Sequence, residues 1–248
     1  MDQIREKLAQ GLTVFGTWVG SDSTLVAELV GRAGYDFVII DTQHSAVTAA
    51  DLMALIQVLD RHGPTLVRVN WNEPALIMRA LDLGAAGIVA PVVSIPEEAR
   101  SAVAAGRYPP DGIRSFGPVR SYYTADGQPG RPLCFVMVET AEAMDNLDAI
   151  AATPGLDGIF VGPHDLALSL GLGLAHSLTP ELTEAMDKVV AACRKHDIIP
   201  GCAALSLDSA RELKERGFRF LAVGADLAFV MQGAAANLAT IRSWPNNA

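Results

Sequence analysis

The amino-acid sequence predicts an α/β protein built as one (β/α)8 TIM barrel that covers residues 1–248. Three observations carry this prediction. Apolar runs of strand length alternate with amphipathic segments of helix length, eight times along the chain. Gly34, Gly84 and Gly217 each follow a helical segment and precede an apolar run, a position where glycine ends a helix. Eight such units in 248 residues favour a closed barrel over an open doubly wound sheet.

The strand-like runs are almost continuously apolar, as expected for parallel strands that are buried on both faces. Asp-Ser-Thr at 22–24 and Thr-Pro-Glu at 179–181 are typical N-cap signals in front of two helices. The predicted strands are Thr13–Trp18, Asp36–Asp41, Thr65–Val69, Gly87–Val92, Leu133–Val138, Gly158–Val161, Ile198–Cys202 and Phe220–Val223. The predicted helices are Ser23–Ala33, Ala49–Arg61, Pro74–Leu83, Ile95–Ala105, Ala141–Ala151, Pro180–His196, Ser206–Arg216 and Ala225–Ile241.

The segment Tyr108–Arg131 departs from this pattern. It is rich in Pro, Gly, Arg, Ser and Tyr and is too long for an ordinary connection between a helix and a strand. We expect it to form an ordered loop at the active site or at a subunit contact. No linker or low-complexity tract indicates a second domain.

Composition argues against several classes of partner. A net charge of −9 and an isoelectric point near 5.0 argue against binding to nucleic acid or to an anionic membrane surface. Cys134, Cys193 and Cys202 are odd in number and widely spaced, which is typical of reduced cysteines in an intracellular protein. The opening residues are charged and lack the apolar core of a signal peptide, so we expect a cytoplasmic protein.

Lysine is scarce in this chain. A Schiff-base lysine has to be desolvated if its amine is to be neutral near pH 7. None of the lysines lies in a segment that is predicted to be buried. If the protein acts on carbonyl carbon, we therefore expect it to use a metal. The four lysines are Lys7, Lys188, Lys195 and Lys214.

Polar residues follow several predicted strands, at positions that meet at one mouth of a β/α barrel. Glu139 closes the fifth strand and Asp165 follows the sixth. Two carboxylates from adjacent strands suit Mg²⁺ or Mn²⁺, with water and substrate as further ligands. Two alternatives are open: Glu139 forms an internal salt bridge with Arg68, or Asp165 caps the helix that follows it.

Arg68 and His44 are further candidates at this mouth. Arg68 lies within a strand-like run, and its guanidinium matches a carboxylate or an enolate oxygen. His44 follows Asp41 by three residues, close enough for the carboxylate to orient the imidazole for acid–base work. The alternative is an ordinary loop histidine. The turn at 224–226 after the last strand is a candidate phosphate-binding turn.

Several motifs occur together and in order: FGTWVG, DFVIIDTQH, VRVN, ALDLGAAGIVAPVV, GRYPPDGIRSFGP, VMVET, LDGIFVGPHDLALSLG and FLAVGAD. On these motifs the chain resembles the HpcH/HpaI aldolases over nearly its entire length. These are metal-dependent pyruvate aldolases, among them 4-hydroxy-2-oxoheptanedioate aldolase and 2-keto-3-deoxy-glucarate aldolase. The resemblance implies reversible cleavage of 4-hydroxy-2-oxoacids to pyruvate or hydroxypyruvate and an aldehyde. It implies a metal-bound enolate, with Mg²⁺, Mn²⁺ or Co²⁺ as the cofactor.

The resemblance also implies roles for individual residues. Glu139 and Asp165 would bind the metal, and Arg68 would stabilise the enolate. His44, supported by Asp41, would be the acid/base. The implied assembly is a homohexamer, a dimer of trimers, in which the last helix (about 225–242) packs on a neighbouring subunit. Substrate-binding residues would be Trp18 on the acceptor side, Gln43, Arg68, Gly162, Pro163, His164, and Asp82 from a neighbouring subunit.

Two positions depart from the pattern of this family. Gln43 stands where glutamate is usual, and His164 stands where a small residue is usual, which leaves the physiological substrate open. Two other functions are also open. One is an acyl-CoA lyase of the citramalyl-CoA or malyl-CoA type, which needs a nucleotide-binding surface, and no basic patch in the sequence indicates one. The other is a non-catalytic oxoacid-binding barrel, against which the full set of polar strand-end residues argues.

Overall fold

The computed structural model describes residues 2–117, 119–120 and 130–244, with side chains from residue 4 onward. Its eight strands form a closed barrel in sequence order, and each strand runs parallel to both neighbours. The predicted (β/α)8 fold class is therefore confirmed. The strands are β1 Val14–Val19, β2 Phe37–Asp41, β3 Thr65–Arg68, β4 Gly87–Ala90, β5 Leu133–Val138, β6 Gly158–Val161, β7 Ile199–Ala204 and β8 Phe220–Ala225.

The helices lie close to their predicted positions, with three differences. A first helix precedes β1, a short helix Pro163–Ser169 follows β6, and the predicted helix Ala141–Ala151 is divided into two at Asn146. The predicted N-caps are confirmed, because Ser23 Oγ accepts from the Val26 amide and Thr179 Oγ1 from the Leu182 amide. The helices are α1 Asp2–Ala9, α2 Thr24–Gly31, α3 Leu52–Leu59, α4 Pro74–Asp82, α5 Pro96–Ala105, α6 Ala141–Asp145, α7 Leu147–Ala151, α8 Pro163–Ser169, α9 Pro180–Lys195, α10 Leu207–Arg216 and α11 Asp226–Arg242.

Aromatic side chains fill the interior of the barrel. The rings of Phe37 and Phe220 stack at a centroid distance of 3.7 Å, and the ring of Phe135 lies 4.6 Å from that of Phe220. Gly16 makes room for this stack, since a Cβ there would lie 2.2 Å from the Phe37 ring. Ile4 of α1 is buried in the same cluster and closes the amino end of the barrel. The carboxyl ends of the strands remain open.

Part of the predicted loop Tyr108–Arg131 lies outside the described residues. In the described part, the guanidinium of buried Arg114 pairs with Asp82 at 2.7 Å and lies 4.7 Å from the centre of the Tyr108 ring. The role of this loop at the active site or at a subunit contact stays a prediction. Within the described residues, none of the helices combines the length and the apolar character that crossing a bilayer requires.

Candidate active site

A cavity of about 530 Å³ opens at the carboxyl ends of the strands. This is the mouth at which β/α barrels carry their chemistry. No lysine lines the cavity in the described part of the chain, and all four lysines are exposed. None of them therefore has the desolvated environment that a Schiff-base lysine needs. Of the predicted site residues, the cavity is lined by Trp18, Asp41, His44, Arg68, Gly162, Pro163, His164 and Asp165.

Arg68 and Asp41, at the ends of neighbouring strands, form a two-point ion pair. Arg68 Nε donates to Asp41 Oδ1 at 2.8 Å, and Nη2 donates to Oδ2 at 2.7 Å. The guanidinium also lies 4.7 Å from the centre of the Trp18 ring. The pair and the ring together hold the guanidinium in one orientation. The alternative in which Arg68 is the salt-bridge partner of Glu139 is wrong, because the carboxylate that it binds is Asp41.

The Asp41 carboxylate also organises the turn that follows β2. It accepts the backbone N–H of Gln43 at 2.9 Å and that of His44 at 3.3 Å. Burial acts to raise the pKa of Asp41, but the Arg68 hydrogen bonds and charge, with the two amides, outweigh it and hold the pKa below its ordinary value. Asp41 is thereby a carboxylate that fixes both Arg68 and the turn.

The structure changes how Asp41 supports His44. Four donors already engage the two Asp41 oxygens, which matches the number of their lone pairs. Asp41 therefore holds His44 through its backbone amide and not through the imidazole, contrary to the sequence-based expectation. The ring of His44 is exposed at the cavity wall. Its role as acid/base stays a prediction.

Glu139 is buried just beyond the end of β5, with one carboxylate oxygen free. Its Oε1 accepts the backbone N–H of Val92 at 2.8 Å, whereas Oε2 has no hydrogen-bond partner among the described residues. Burial raises the pKa of Glu139 to about 7; the negative charge of Asp165 adds to this, while the Val92 amide and the charge of Arg68 oppose it. In its ionised form this buried carboxylate needs a counter-charge, and a divalent cation would supply that charge.

The backbone is shaped around this carboxylate at two points. Val92 has a φ of +53°, a left-handed conformation that is uncommon for a β-branched residue, and its amide is the donor to Glu139. Gly162 packs so closely that a Cβ there would lie 2.3 Å from Glu139 Oε2. Both features enclose the carboxylate, so the second oxygen of Glu139 is buried and Glu139 does not itself line the cavity.

Asp165 lies in the first turn of α8, whose N-cap is Gly162. No hydrogen bond of the described residues engages its carboxylate, so the capping alternative is not observed and the group stays available. No cluster of three or more His, Cys, Asp or Glu ligands occurs in the part of the chain that the structure describes. The donor set is thus two hard carboxylates, which fits Mg²⁺, Mn²⁺ or Co²⁺ with the substrate and water as remaining ligands.

Two predicted substrate-binding residues lie away from the cavity of their own chain. Gln43 is half-buried beside Asp41 and does not line the cavity. Asp82 ends α4 and pairs with Arg114, so its contribution to a neighbouring subunit stays a prediction.

Sequence reasoning missed the role of Asp226, which is buried after β8. Its carboxylate accepts the amides of Gly20 at 2.9 Å, Ser21 at 2.9 Å and Leu227 at 2.8 Å. The Asp226 carboxylate thus occupies amides next to the candidate phosphate-binding turn at 224–226, and the role of that turn stays a prediction. The position of Asp226 directly after an apolar strand could have indicated a functional or structural role for it at the mouth of the barrel.

A family model described as HpcH/HpaI aldolase/citrate lyase matches residues 14–233. The chain belongs to this family. The resemblance drawn from the motifs is confirmed, and with it the expectation of a lyase that acts on hydroxy-oxoacids.

Individual relatives agree over almost the whole chain. The 5-keto-4-deoxy-D-glucarate aldolase of Klebsiella pneumoniae is 35% identical over 236 residues, 91% of each chain. The hydroxypyruvate/pyruvate aldolase of Roseovarius nubinhibens is 35% identical over 248 residues, 96% of each chain. A family member of known structure from Burkholderia cenocepacia superposes with a TM-score of 0.88 at 32% identity, covering 98% of this chain and all of that one.

Proposed function

We propose that the protein is a divalent-metal-dependent aldolase that reversibly cleaves 4-hydroxy-2-oxoacids to pyruvate or hydroxypyruvate and an aldehyde. The observation that carries the proposal is the buried Glu139 carboxylate, with one unpartnered oxygen beside Asp165 and Arg68. A bound Mg²⁺, Mn²⁺ or Co²⁺ would supply Lewis-acid polarisation of the keto group. Glu139 and Asp165 would hold the metal ion.

Arg68 supports the enolate in this proposal. Its Nε and one Nη2 hydrogen are used by Asp41, which leaves three N–H groups of the guanidinium free to donate. Because the Asp41 pair and the Trp18 ring fix its plane, these donors are held ready for the negative charge that grows on the keto oxygen. Little reorganisation is then needed when the charge appears.

His44 carries the proton in the proposed cleavage step. It accepts the proton of the C4 hydroxyl as the C3–C4 bond breaks, the electron pair of that bond passes into the enolate, and the aldehyde leaves. C3 of the enolate then takes up a proton to give pyruvate or hydroxypyruvate. In the reverse direction His44 returns the proton to the aldehyde oxygen as the bond forms. The exposed position of the His44 ring in the cavity wall supports this role.

We also propose a homohexamer arranged as a dimer of trimers, in the cytoplasm. The apolar side chains that α11 exposes in the single chain support a subunit contact there. Asp82, at the end of α4, would reach a neighbouring active site. Apart from Leu227, which lines the cavity, the exposed apolar residues of α11 are Phe229, Val230, Met231, Leu238 and Ile241.

A single assay tests the reaction: pyruvate or hydroxypyruvate is mixed with a panel of aldehydes, with and without EDTA. We expect chelation to remove activity and Mg²⁺, Mn²⁺ or Co²⁺ to restore it. Glu139→Ala and Asp165→Ala should lose metal binding in calorimetry, whereas the exposed neighbour Glu142→Ala should keep it. Covalent trapping of pyruvate by borohydride would refute the proposal, since it requires a Schiff base.

A further inference from the structure

The barrel divides the wall of the active-site cavity into two sectors. Because the strands follow sequence order around the closed barrel, β2 to β6 carry the ionic groups described above along one sector. The other sector comes from the ends of β7 and β8 and the start of α11. Its side chains, which we call the β7–β8 wall, are Ala203, Ala204, Leu205, Leu227 and Ala228.

In the described part of one chain, the cavity offers no free cation to a second anionic group. Among the described residues that line it, Arg68 is the sole guanidinium or ammonium, and it is paired with Asp41. The residues outside the described ranges contain neither lysine nor arginine. The described cavity wall of one copy of the chain therefore has no basic side chain with which to hold a carboxylate, sulfonate or phosphate against the β7–β8 wall.

The backbone donors beside this wall are also engaged. Amide groups of loops at a barrel mouth can bind an anion. Here the amides of Gly20, Ser21 and Leu227 donate to the buried Asp226 carboxylate at 2.8–2.9 Å. An anionic substrate group would meet a negative side chain at this corner in place of free N–H donors.

We propose that this aldolase selects an uncharged aldehyde with an apolar substituent, which lies on the β7–β8 wall. The inference rests on the proposed aldolase function. In the synthetic direction C3 of the oxoacid loses a proton and forms a bond to the aldehyde carbon, and the aldehyde oxygen takes up a proton to become the C4 hydroxyl. The substituent of the aldehyde does not react, so its affinity for the wall decides selection.

The physical reason is the asymmetry between burying an apolar and an ionic group. Each methylene placed on the wall should raise kcat/KM by about fourfold, from the free energy of burying a methylene. A carboxylate at the same place would be desolvated without a partner and close to the carboxylates of the ionic sector. Two imidazoles, His44 and His164, also line the cavity.

The test compares two aldehydes of nearly equal shape at pH 8 with saturating Mn²⁺ and pyruvate. Succinic semialdehyde carries a carboxylate where 4-methylpentanal carries an isopropyl group. We expect kcat/KM for 4-methylpentanal to be at least about tenfold higher. Ethanal, propanal and butanal should show the stepwise gain per methylene. Equal values, or a preference for succinic semialdehyde, would overturn the inference and would place the missing cation on a second copy of the chain.

A cation introduced on the wall should reverse the selectivity. Leu227 is 57% exposed, so Leu227→Arg adds a guanidinium there without disturbing the core. The ratio of kcat/KM for succinic semialdehyde to kcat/KM for 4-methylpentanal should rise by at least about tenfold. Leu174 is similarly exposed, at 53%, but lies outside the cavity lining, so Leu174→Arg should leave the ratio unchanged. Leu205→Arg repeats the test at a lining residue just beyond the end of β7. An unchanged ratio in both wall variants would contradict the assignment of this wall.

One measurement separates this inference from the proposed function. Exchange of the pyruvate C3 protons with deuterated water, followed by NMR with added Mn²⁺ removed before detection, requires no aldehyde. Absence of exchange would refute the aldolase function itself, and the inference with it. Exchange together with a preference for the anionic aldehyde would refute the inference alone.

Discussion

Glu139→Gln should stabilise the metal-free protein at alkaline pH, although it replaces a carboxylate that we propose as a metal ligand. Burial raises the pKa of Glu139 from 4.5 to about 7, so the folded protein binds a proton more tightly than the unfolded chain does. Between these two pH values the folded state holds more protons, and the free energy of unfolding falls as the pH rises. The glutamine amide of the variant carries no charge, so the substitution removes this dependence.

The magnitude follows from the size of the shift. One pKa unit corresponds to about 1.4 kcal/mol. The raised pKa therefore lowers the free energy of unfolding of the wild-type protein by about 3 kcal/mol at pH 8 and by less than about 1 kcal/mol at pH 5. The new amide NH₂ would lack an acceptor in place of Oε2, which offsets part of the gain. We therefore expect Glu139→Gln to raise the free energy of unfolding by about 1–3 kcal/mol at pH 8.

The assay is urea unfolding followed by circular dichroism, in EDTA, at pH 5 and pH 8. The exposed neighbour Glu142→Gln is the matched control and should change little at either pH. With saturating Mn²⁺ the wild-type protein should be the more stable of the two, because metal binding stabilises it and cannot stabilise Glu139→Gln to the same extent. If Glu139→Gln were less stable than wild type at pH 8 in EDTA, the carboxylate would have a partner in the folded protein and the reasoning would be wrong.

The remaining predictions concern the other polar residues of the mouth. Arg68→Ala should lower kcat by about 100-fold or more, as loss of an oxyanion donor does, and pyruvate C3 proton exchange at full rate would contradict this role. His44→Ala should strongly reduce aldol cleavage while metal and oxoacid affinity stay near wild type, and its pH–rate profile should lose the histidine-like limb; an unchanged profile would move His44 to a binding role. The kinetic defect of Asp41→Asn should resemble that of Arg68→Ala more than that of His44→Ala, because Asp41 binds the guanidinium and not the imidazole. Asp226→Ala should lower the free energy of unfolding by about 2–4 kcal/mol in urea titrations, because three amides lose their acceptor, and a change below about 0.5 kcal/mol would contradict the contacts at that corner.

The barrel and the location of its mouth were predictable because their signals are local. An apolar run of strand length, an amphipathic segment and a glycine helix stop each depend on a few neighbouring residues. Gly34, Gly84 and Gly217 all adopt positive φ in the structure, as their positions predicted. By contrast, α1 was not predicted, because its sequence is mostly polar. Its buried side chain, Ile4, packs against residues of strands that are distant in the sequence.

The electrostatic state of the site was decided only by the tertiary structure. The sequence by itself determined that Asp41, Arg68, Glu139 and Asp165 meet at one mouth, because strand ends of a parallel barrel share an edge. It could not decide which carboxylate Arg68 binds, since both lie at strand ends and the choice depends on side-chain direction and packing. The structure pairs Arg68 with Asp41 and leaves Glu139 buried with a free oxygen. Burial and hydrogen bonding, which depend on residues far apart in the sequence, thus make Asp41 a structural anchor and leave Glu139 with one oxygen that has no hydrogen-bond partner among the described residues.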